Sequence, residues 1–300
     1  MNANKMEVHT SDLTKPCLRQ VDLRLRGKAI GSTQSAKAWG LLWHEAVQTC
    51  HADKRFDSPH AMAIVAPAWE RVQAKCKEEN SPLSPTVTRD LTTMCAEVAS
   101  LLPVYGERVV PLLGKVIGCE LPIRATIEVD GEDVDFASHL DLLCRTPSGL
   151  MVVDWKTGED CPAFYELSRN MQFGMYAYAV KHGAVLVDGE WLEFGEWPSL
   201  TWCHIRNLKG FGRATTVKEY DPATGETTET PYAKGQQRPI EKIMVPSGVY
   251  PEGEGEILRR FTEHVRLRRM GIMPATPGEH CRFCDSVRFC DDLGGKGAAY

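Results

Sequence analysis

Residues 149–158, GLMVVDWKTG, form the most informative stretch of this sequence. The apolar run 150–153 has the composition of a buried β-strand, and it ends by presenting Asp154 and Lys156 one residue apart. Because side chains alternate between the two faces of a strand, these two charges share one face. Opposite charges at the end of an apolar strand indicate either a buried ion pair or one half of a site that performs chemistry.

A second strand precedes this one and predicts a hairpin. Residues 134–145 and 150–156 both have strand character, and Pro147-Ser148-Gly149 between them is a turn signal. With a loop of two or four residues, Asp141 lies directly opposite Asp154, with Cβ atoms about 4.5–5.5 Å apart. Facing carboxylates repel each other unless a cation lies between them, and such pairs are typical ligands of Mg²⁺ or Mn²⁺. A three-residue loop breaks this alignment and leaves a buried Asp–Lys pair as the alternative.

Helices are predicted on both sides of this hairpin, because apolar residues recur there at helical spacing. We predict helices over residues 11–28 (helical or mixed), 34–50, 60–79, 86–102, 162–182 and 254–270, and further strands over 116–128 and 199–207. Pro85 lies where a helix would begin, and Pro67 is expected to kink or restart its helix. This order predicts an α/β or α+β core in which helices flank a mixed sheet.

The composition narrows the class of protein. The net charge of −5 argues against a general basic coat for nucleic acid but allows a local basic groove. Two basic clusters, Arg19–Lys28 and Arg259–Arg269, are interpreted as solvated helix faces or as guides for a nucleic-acid strand. No apolar run approaches roughly 18 residues, the N-terminus lacks the apolar core of a secretory signal, and no Gly-rich loop of an ATP motor is present. We therefore expect a cytoplasmic protein without its own motor.

Three of the eleven cysteines crowd together as Cys281-x2-Cys284-x5-Cys290. In a chain without an export signal they are expected to be thiols rather than disulfides. Three thiolates at this spacing are one ligand short of a tetrahedral set, which structural zinc sites complete with a fourth cysteine or a histidine such as His280. The spacing therefore predicts a small metal module over residues 278–292.

These patterns divide the chain into four segments. We predict an N-terminal segment 1–33, a core 34–277, the metal module 278–292 and a disordered Gly-rich tail 293–300. Within the core, the polar segment 209–242 has a turn signal at residues 222–225 and is interpreted as a variable insertion.

Four motifs occur along the chain in a characteristic order. They are Gly40-Leu-Leu-Trp-His44, Leu140-Asp141-Leu142, Val153-Asp-Trp-Lys-Thr-Gly158 and Gln172-x3-Tyr176. Together they resemble the RecB-like branch of the PD-(D/E)xK nuclease superfamily, and more closely the CRISPR-associated RecB-type exonucleases that carry a cysteine-ligated iron–sulfur cluster. The resemblance extends from Cys17 to Cys290 and implies a restriction-endonuclease-like core.

The resemblance also implies roles for individual residues. The metal ligands would be His44, Asp141, Asp154 and the backbone carbonyl of Trp155. Lys156 would position the attacking water or stabilise charge on the phosphate. Gln172 and Tyr176, which share one helix face at this spacing, would point toward the substrate strand.

One departure from the family pattern bears on the histidine ligand. Ser138 stands where the family usually has glycine, three residues before Asp141, and His139 follows it. In the predicted hairpin register His139 faces Lys156, so it competes with His44 as the imidazole ligand. His44 is favoured because it lies in the Gly-x3-His context. Glu120 in the preceding strand is able to add a carboxylate, but it is interpreted as a solvent-facing residue.

For the cysteines, the resemblance implies that Cys17 joins Cys281, Cys284 and Cys290 around a 4Fe–4S cluster, which would staple the two ends of the chain together. Structural Zn²⁺ remains the alternative.

The activity implied is Mg²⁺- or Mn²⁺-dependent hydrolysis of DNA, on single-stranded ends and preferably 5′ to 3′. Related nucleases occur as phage proteins and in helicase–nuclease complexes, so partners in recombination, repair or CRISPR adaptation are expected. The alternatives are an endonuclease or end-trimming subunit, and a DNA-binding protein that does not cut. The intact Asp-x-Lys argues against the last.

Overall fold

The computed structural model describes residues 6–15, 17–28, 33, 35–79, 81–158, 162–206, 216–220, 227–231, 240–276, 284, 286 and 290. The helices within these ranges are α1 (Thr10–Leu13), α2 (Leu18–Leu25), α3 (Ser35–Asp53), α4 (Ser58–Glu78), α5 (Pro85–Arg108), α6 (Phe164–Leu167), α7 (Met171–His182) and α8 (Val249–Arg269). The strands are β1 (Glu7–His9), β2 (Lys115–Val129), β3 (Glu132–Thr146), β4 (Gly149–Gly158), β5 (Ala184–Val187), β6 (Glu190–Leu192), β7 (Ser199–Arg206), β8 (Thr216–Tyr220), β9 (Thr227–Pro231) and β10 (Ile240–Val245). No described helix combines the length and apolarity that crossing a bilayer requires.

A mixed sheet forms the centre of the molecule. Among the described residues its strand order is β10-β7-β4-β3-β2-β5-β6, with β1 paired to β3, while β8 and β9 form a separate hairpin. The pairs β4–β7 and β1–β3 are parallel, and the other pairs in the sheet are antiparallel. The predicted mixed sheet flanked by helices is confirmed.

Strand β4 lies inside this sheet and is buried on both faces. Met151, Val153 and Trp155 pack in the core formed with α3, α4 and α5. Leu150 and Val152 pack in the core formed with α7 and α8. Each such side chain contributes about 1.5–3 kcal/mol when fully buried. Burial on both faces explains why the strand is a continuous apolar run rather than an alternating one.

The hairpin register agrees with the prediction. Strands β3 and β4 are joined through residues 147–148, and Leu142 pairs with Val153. The preceding β2–β3 turn is also tight, because Asp130 and Gly131 both have positive φ, at 56° and 80°. Two consecutive left-handed residues are typical of a type I′ turn, whose twist matches that of the flanking strands.

Two predicted helices differ in detail, and one strand was not predicted. Helix α4 continues through Pro67 instead of restarting there. The helix predicted over 162–182 is interrupted, because the Asn170 side chain accepts hydrogen bonds from the backbone N–H groups of Gln172 and Phe173 and so begins α7 afresh. Strand β10, unpredicted, pairs with β7. The proposed segment boundaries stay predictions, and the tail 293–300 lies outside the described residues.

Candidate active site

Helix α3 carries His44 to the end of the central hairpin. Residues four apart on a helix share a face, so Gly40 and His44 point the same way. The His44 side chain is 27% exposed. Its Nδ1 lies 3.3 Å from Oε1 of Glu120 and 3.8 Å from Oδ1 of Asp141, and its Nε2 lies 3.1 Å from the carbonyl oxygen of Trp155. The histidine therefore contacts all three strands of the β2–β3–β4 meander.

Glu120 belongs to this group, and its interpretation as a solvent-facing residue was wrong. Its side chain is half-buried and faces His44. Its backbone has a φ of 49°, which is left-handed for a residue inside a strand. Such a conformation costs on the order of 1–3 kcal/mol and is frequent at functional sites. The sequence of β2 gave no sign that α3 packs against Glu120, because that contact joins residues far apart in the chain.

The two aspartates of the hairpin turn to different partners. The last β3–β4 pair is Leu142 with Val153, one residue short of the aspartates. Oδ2 of Asp141 accepts a hydrogen bond of 2.6 Å from the backbone N–H of Trp155. Asp154 is fully buried, and its Oδ1 accepts from Lys156 Nζ at 2.7 Å. The cation facing Asp154 in this structure is therefore a lysine.

Three side chains, those of His44, Glu120 and Asp141, form a group able to hold a metal ion, which we call the metal group. The ligand atoms of His44, Glu120 and Asp141 lie within 4.8 Å of one another, and no other such group of His, Cys, Asp and Glu occurs among the described residues. One imidazole and two carboxylates suit Mg²⁺ or Mn²⁺. Among the described residues no group donates a hydrogen bond of good geometry to Oδ2 of buried Asp154, although Lys156 Nζ lies 2.6 Å away. This carboxylate oxygen therefore remains available to a metal ion. The roles of Asp154 and of the Trp155 carbonyl oxygen as metal ligands stay predictions.

The charges of this group shift one another's ionisation. Burial alone lowers the pKa of His44, but the carboxylates of Asp141 and Glu120 outweigh it and raise that pKa to about 9. Burial, supported by the charge of Asp154, raises the pKa of Asp141. Burial works against the Lys156 ammonium, yet Asp154 and Asp141 raise its pKa. Without metal the site therefore holds a protonated imidazole and a charged lysine among its carboxylates.

Helix α7 supplies the remaining two predicted residues. Gln172 Nε2 lies 3.2 Å from Oδ1 of Asp154 and 2.7 Å from the hydroxyl oxygen of Tyr176. Tyr176 is only 3% exposed. Both residues therefore adjoin the site, Gln172 in direct contact with it and Tyr176 behind Gln172. His139 is exposed and lines the cavity above the metal group, but it does not belong to that group.

Residues 18–291 match the PD-(D/E)XK nuclease superfamily. The chain belongs to this superfamily. Membership implies a hydrolytic nuclease. The Asp154-x-Lys156 pair in β4 stays the predicted motif. The PD-(D/E)XK assignment covers both the helix that carries His44 and the helix that carries Gln172.

Two solved structures are similar to this chain at low sequence identity. A candidate exonuclease from Eubacterium rectale is 12% identical with a TM-score of 0.51, over 94% of this chain and 88% of that one. The protein SSO0001 is also 12% identical, with a TM-score of 0.40, over 97% of this chain and 88% of that one. The Eubacterium rectale protein shares the fold of this chain. No curated protein sequence matches this nuclease.

The predicted cluster cysteines are described in part. Cys17 and Cys290 are buried and Cys284 is half-buried, whereas Cys281 lies outside the described residues. The backbone N–H of Thr276 donates to Sγ of Cys17 at 3.4 Å. The N-terminal part of the nuclease therefore meets the segment that leads into the cysteine-rich end.

Proposed function

We propose that the protein is a metal-dependent DNA exonuclease that hydrolyses phosphodiester bonds of single-stranded ends, preferably 5′ to 3′. The observation that carries this proposal is the convergence of His44, Glu120 and Asp141 beside the Asp154–Lys156 pair. In a nuclease-superfamily chain, metal-ligand donors that line a cavity, together with a charged lysine near them, have what phosphodiester hydrolysis requires.

His44, Glu120 and Asp141 would hold the ion, with Asp154 and the Trp155 carbonyl as further ligands. A bound Mg²⁺ or Mn²⁺ lowers the pKa of a water molecule and polarises a phosphoryl oxygen. Lys156 keeps its proton because two aspartates raise its pKa, so it is able to donate to that water or to an anionic phosphate oxygen. Gln172 holds Oδ1 of Asp154 and so orients that carboxylate.

The cavity over the metal group supports a single strand as substrate. Its volume is about 660 Å³, and α3, α4 and the strand ends line it. That volume lies within the range of pockets for one small ligand. It accommodates part of one strand, whereas a duplex would have to lie across its mouth.

The decisive experiment measures degradation of end-labelled DNA with Mn²⁺ or Mg²⁺. Asp154→Ala and Lys156→Ala should each lose activity, whereas Lys115→Ala, an exposed lysine on β2, should retain it. Activity that survives both substitutions would contradict the proposed site. Complete inactivity of the wild-type protein on all DNA would favour a nuclease-fold protein that binds without cutting.

Substrate form separates the exonuclease from its main alternative. Linear single strands labelled at the 5′ or 3′ end should be shortened progressively, and the order of products reports the polarity. Circular single strands should remain intact. Cleavage of circular DNA would instead indicate an endonuclease, and removal of only a few terminal nucleotides from the linear strands would indicate an end-trimming subunit.

We further propose that Cys17, Cys281, Cys284 and Cys290 hold a 4Fe–4S cluster that joins the two ends of the chain. The contact of Cys17 with Thr276 and the burial of Cys290 support a closed thiolate site. The purified protein should be brown and contain iron, and Cys284→Ala should remove both. Colourless protein that contains zinc would establish the structural zinc alternative.

The biological setting follows from the same proposal. We propose a role in DNA recombination, repair or CRISPR-type processing, in a bacterial or phage context, with a helicase or adaptation protein as partner. Co-purification with such a protein would test this, and the expected cytoplasmic location stays a prediction.

A further inference from the structure

The arginine clusters seen in the sequence are occupied by ion pairs. Arg266 contacts Asp130 at 2.9 Å, and Arg269 contacts Glu132 at 2.9 Å. Arg259 contacts Glu256 at 2.7 Å, and Arg26 contacts Asp22 at 2.7 Å. Because their charge is largely compensated by neighbouring carboxylates, these clusters are poor candidates for guiding a DNA strand into the site.

Two lysines in the active-site cavity are in a different situation. Lys37 on α3 and Lys75 on α4 line the cavity together with His44, Glu120 and Asp141. Both lysines are exposed, and no ion pair with a carboxylate of the described residues involves either of them. Their charges face a floor of carboxylates that would otherwise repel a phosphate.

The two helices hold these lysines on the same side of the metal group. Helices α3 and α4 are joined by residues 54–57, and Arg71 ties them together by contacts of 2.9 Å to Glu45 and 2.7 Å to Thr49. Lys75 lies one turn beyond Arg71 on α4. Lys37 lies seven residues before His44 on α3, about 10 Å along the helix axis.

We propose that Lys75 and Lys37 bind neighbouring backbone phosphates of the DNA strand, and so lead it along α3 and α4 to the metal group. This inference rests on the proposed function and identifies α3 and α4 as the side of the cavity along which the DNA strand lies. Lysine contacts to phosphate position a strand without reading its sequence. We call this path along Lys37 and Lys75 the lysine track. The track is expected to bind DNA of any sequence.

The test measures binding of a fluorescein-labelled single-stranded oligonucleotide at several salt concentrations, without divalent metal. Lys37→Gln and Lys75→Gln should each weaken binding about threefold to tenfold, and each should reduce the slope of log affinity against log salt by about 0.7. The double variant should reduce the slope by about 1.4. Oligonucleotides of unrelated sequence should lose affinity equally.

Lys77→Gln is the matched control, because Lys77 is exposed on α4 but does not line the cavity. It makes the same change in net charge and should leave the salt slope unaltered. If the wild-type protein binds and cuts DNA while the Lys37 and Lys75 variants keep its slope, the track is wrong and the proposed function stands. A wild-type protein that neither binds nor cuts DNA overturns both proposals.

Discussion

His44 contacts Trp155 in two ways: its Nε2 lies 3.1 Å from the carbonyl oxygen, and the two rings meet edge to face at 5.6 Å. A second histidine of α3, His51, stacks on the same indole at 5.9 Å. The indole is fully buried, while the backbone N–H of Trp155 donates to Asp141. Residue 155 therefore links the core under α3 to the backbone atoms that face the metal group.

A buried chain of hydrogen bonds holds this indole. Trp155 Nε1 donates to the hydroxyl oxygen of Tyr105 at 3.2 Å, and that oxygen lies 3.0 Å from His51 Nε2. Burial lowers the pKa of His51 to about 4, so its ring is neutral and Nε2 accepts a hydrogen bond from the Tyr105 hydroxyl. Tyr105→Phe should lower the free energy of unfolding by about 1–3 kcal/mol, since it leaves buried polar groups unpaired. It should also weaken Mn²⁺ binding about tenfold, as loss of supporting contacts around a metal site does.

Tyr250→Phe provides the control for that substitution. The Tyr250 side chain is buried, and its hydroxyl has no hydrogen-bond partner among the described residues. Its removal should leave Mn²⁺ affinity unchanged, as measured by calorimetry. Equal loss of Mn²⁺ affinity in both variants would mean that Tyr105 acts through general stability and does not position Trp155.

Glu120→Gln should reduce Mn²⁺ affinity by at least about tenfold, because ligand charge sets the affinity of such sites. It should also lower the pKa of His44, since the Glu120 carboxylate helps to raise it. Calorimetry measures the first effect and NMR titration of the imidazole the second. Glu128→Gln, an exposed residue of the same strand, should change neither. Unaltered Mn²⁺ affinity in Glu120→Gln would exclude Glu120 as a ligand.

The stability of the metal-free protein should depend on pH through His44. The pKa of His44 is about 9 in the folded protein against 6.5 for an unperturbed histidine. A raised pKa contributes stability that is complete below pH 6.5 and is lost as the pH rises through 9. Thermal unfolding should therefore show a decrease over this window that His44→Gln removes. An identical pH profile in the variant would contradict the assignment.

Metal binding should show the opposite pH dependence. An imidazole must lose its proton before it binds a metal ion, so Mn²⁺ has to displace the proton of His44. Mn²⁺ affinity should rise as the pH increases and level off above about pH 9, the pKa of His44 in the folded protein. Calorimetry in buffers of different ionisation enthalpy should detect proton release, and its absence would show that His44 is not a ligand.

Gly40 permits the close approach of α3 to β4. A Cβ atom at this position would lie 2.9 Å from Oγ1 of Thr157. Alanine in a helix interior otherwise gains about 1 kcal/mol over glycine. Gly40→Ala should therefore stabilise the Thr157→Ala protein by about 1 kcal/mol but not the wild type. Chemical denaturation of the four proteins of this double-mutant cycle measures the coupling, and strict additivity would show that the contact is not limiting.

Much of the fold was predictable from local pattern. Strand β4 was recognisable because its apolar run is buried on both faces, and the register followed from a two-residue turn. The break in the helix predicted over 162–182 was missed because its signal is a single capping residue, Asn170. Strand β10 was missed because its first three residues were assigned to the polar segment 209–242, and because it owes its place to pairing with β7.

The grouping of Asp141, Asp154, Lys156 and His44 in one candidate site was likewise predictable from their order in the sequence, and their catalytic roles stay predictions. The carboxylate partners of His44 were not predictable. Lys156 faces Asp154 on one face of β4, which is one of the two alternatives that the sequence offered. Glu120 joins His44 and Asp141 because strands β2, β3 and β4 and helix α3 meet at one point. Strand periodicity and turn chemistry act between near neighbours, so they are written in the linear sequence. Distances between residues 44, 120 and 141 depend on how a helix packs on a sheet, and only the folded chain sets them.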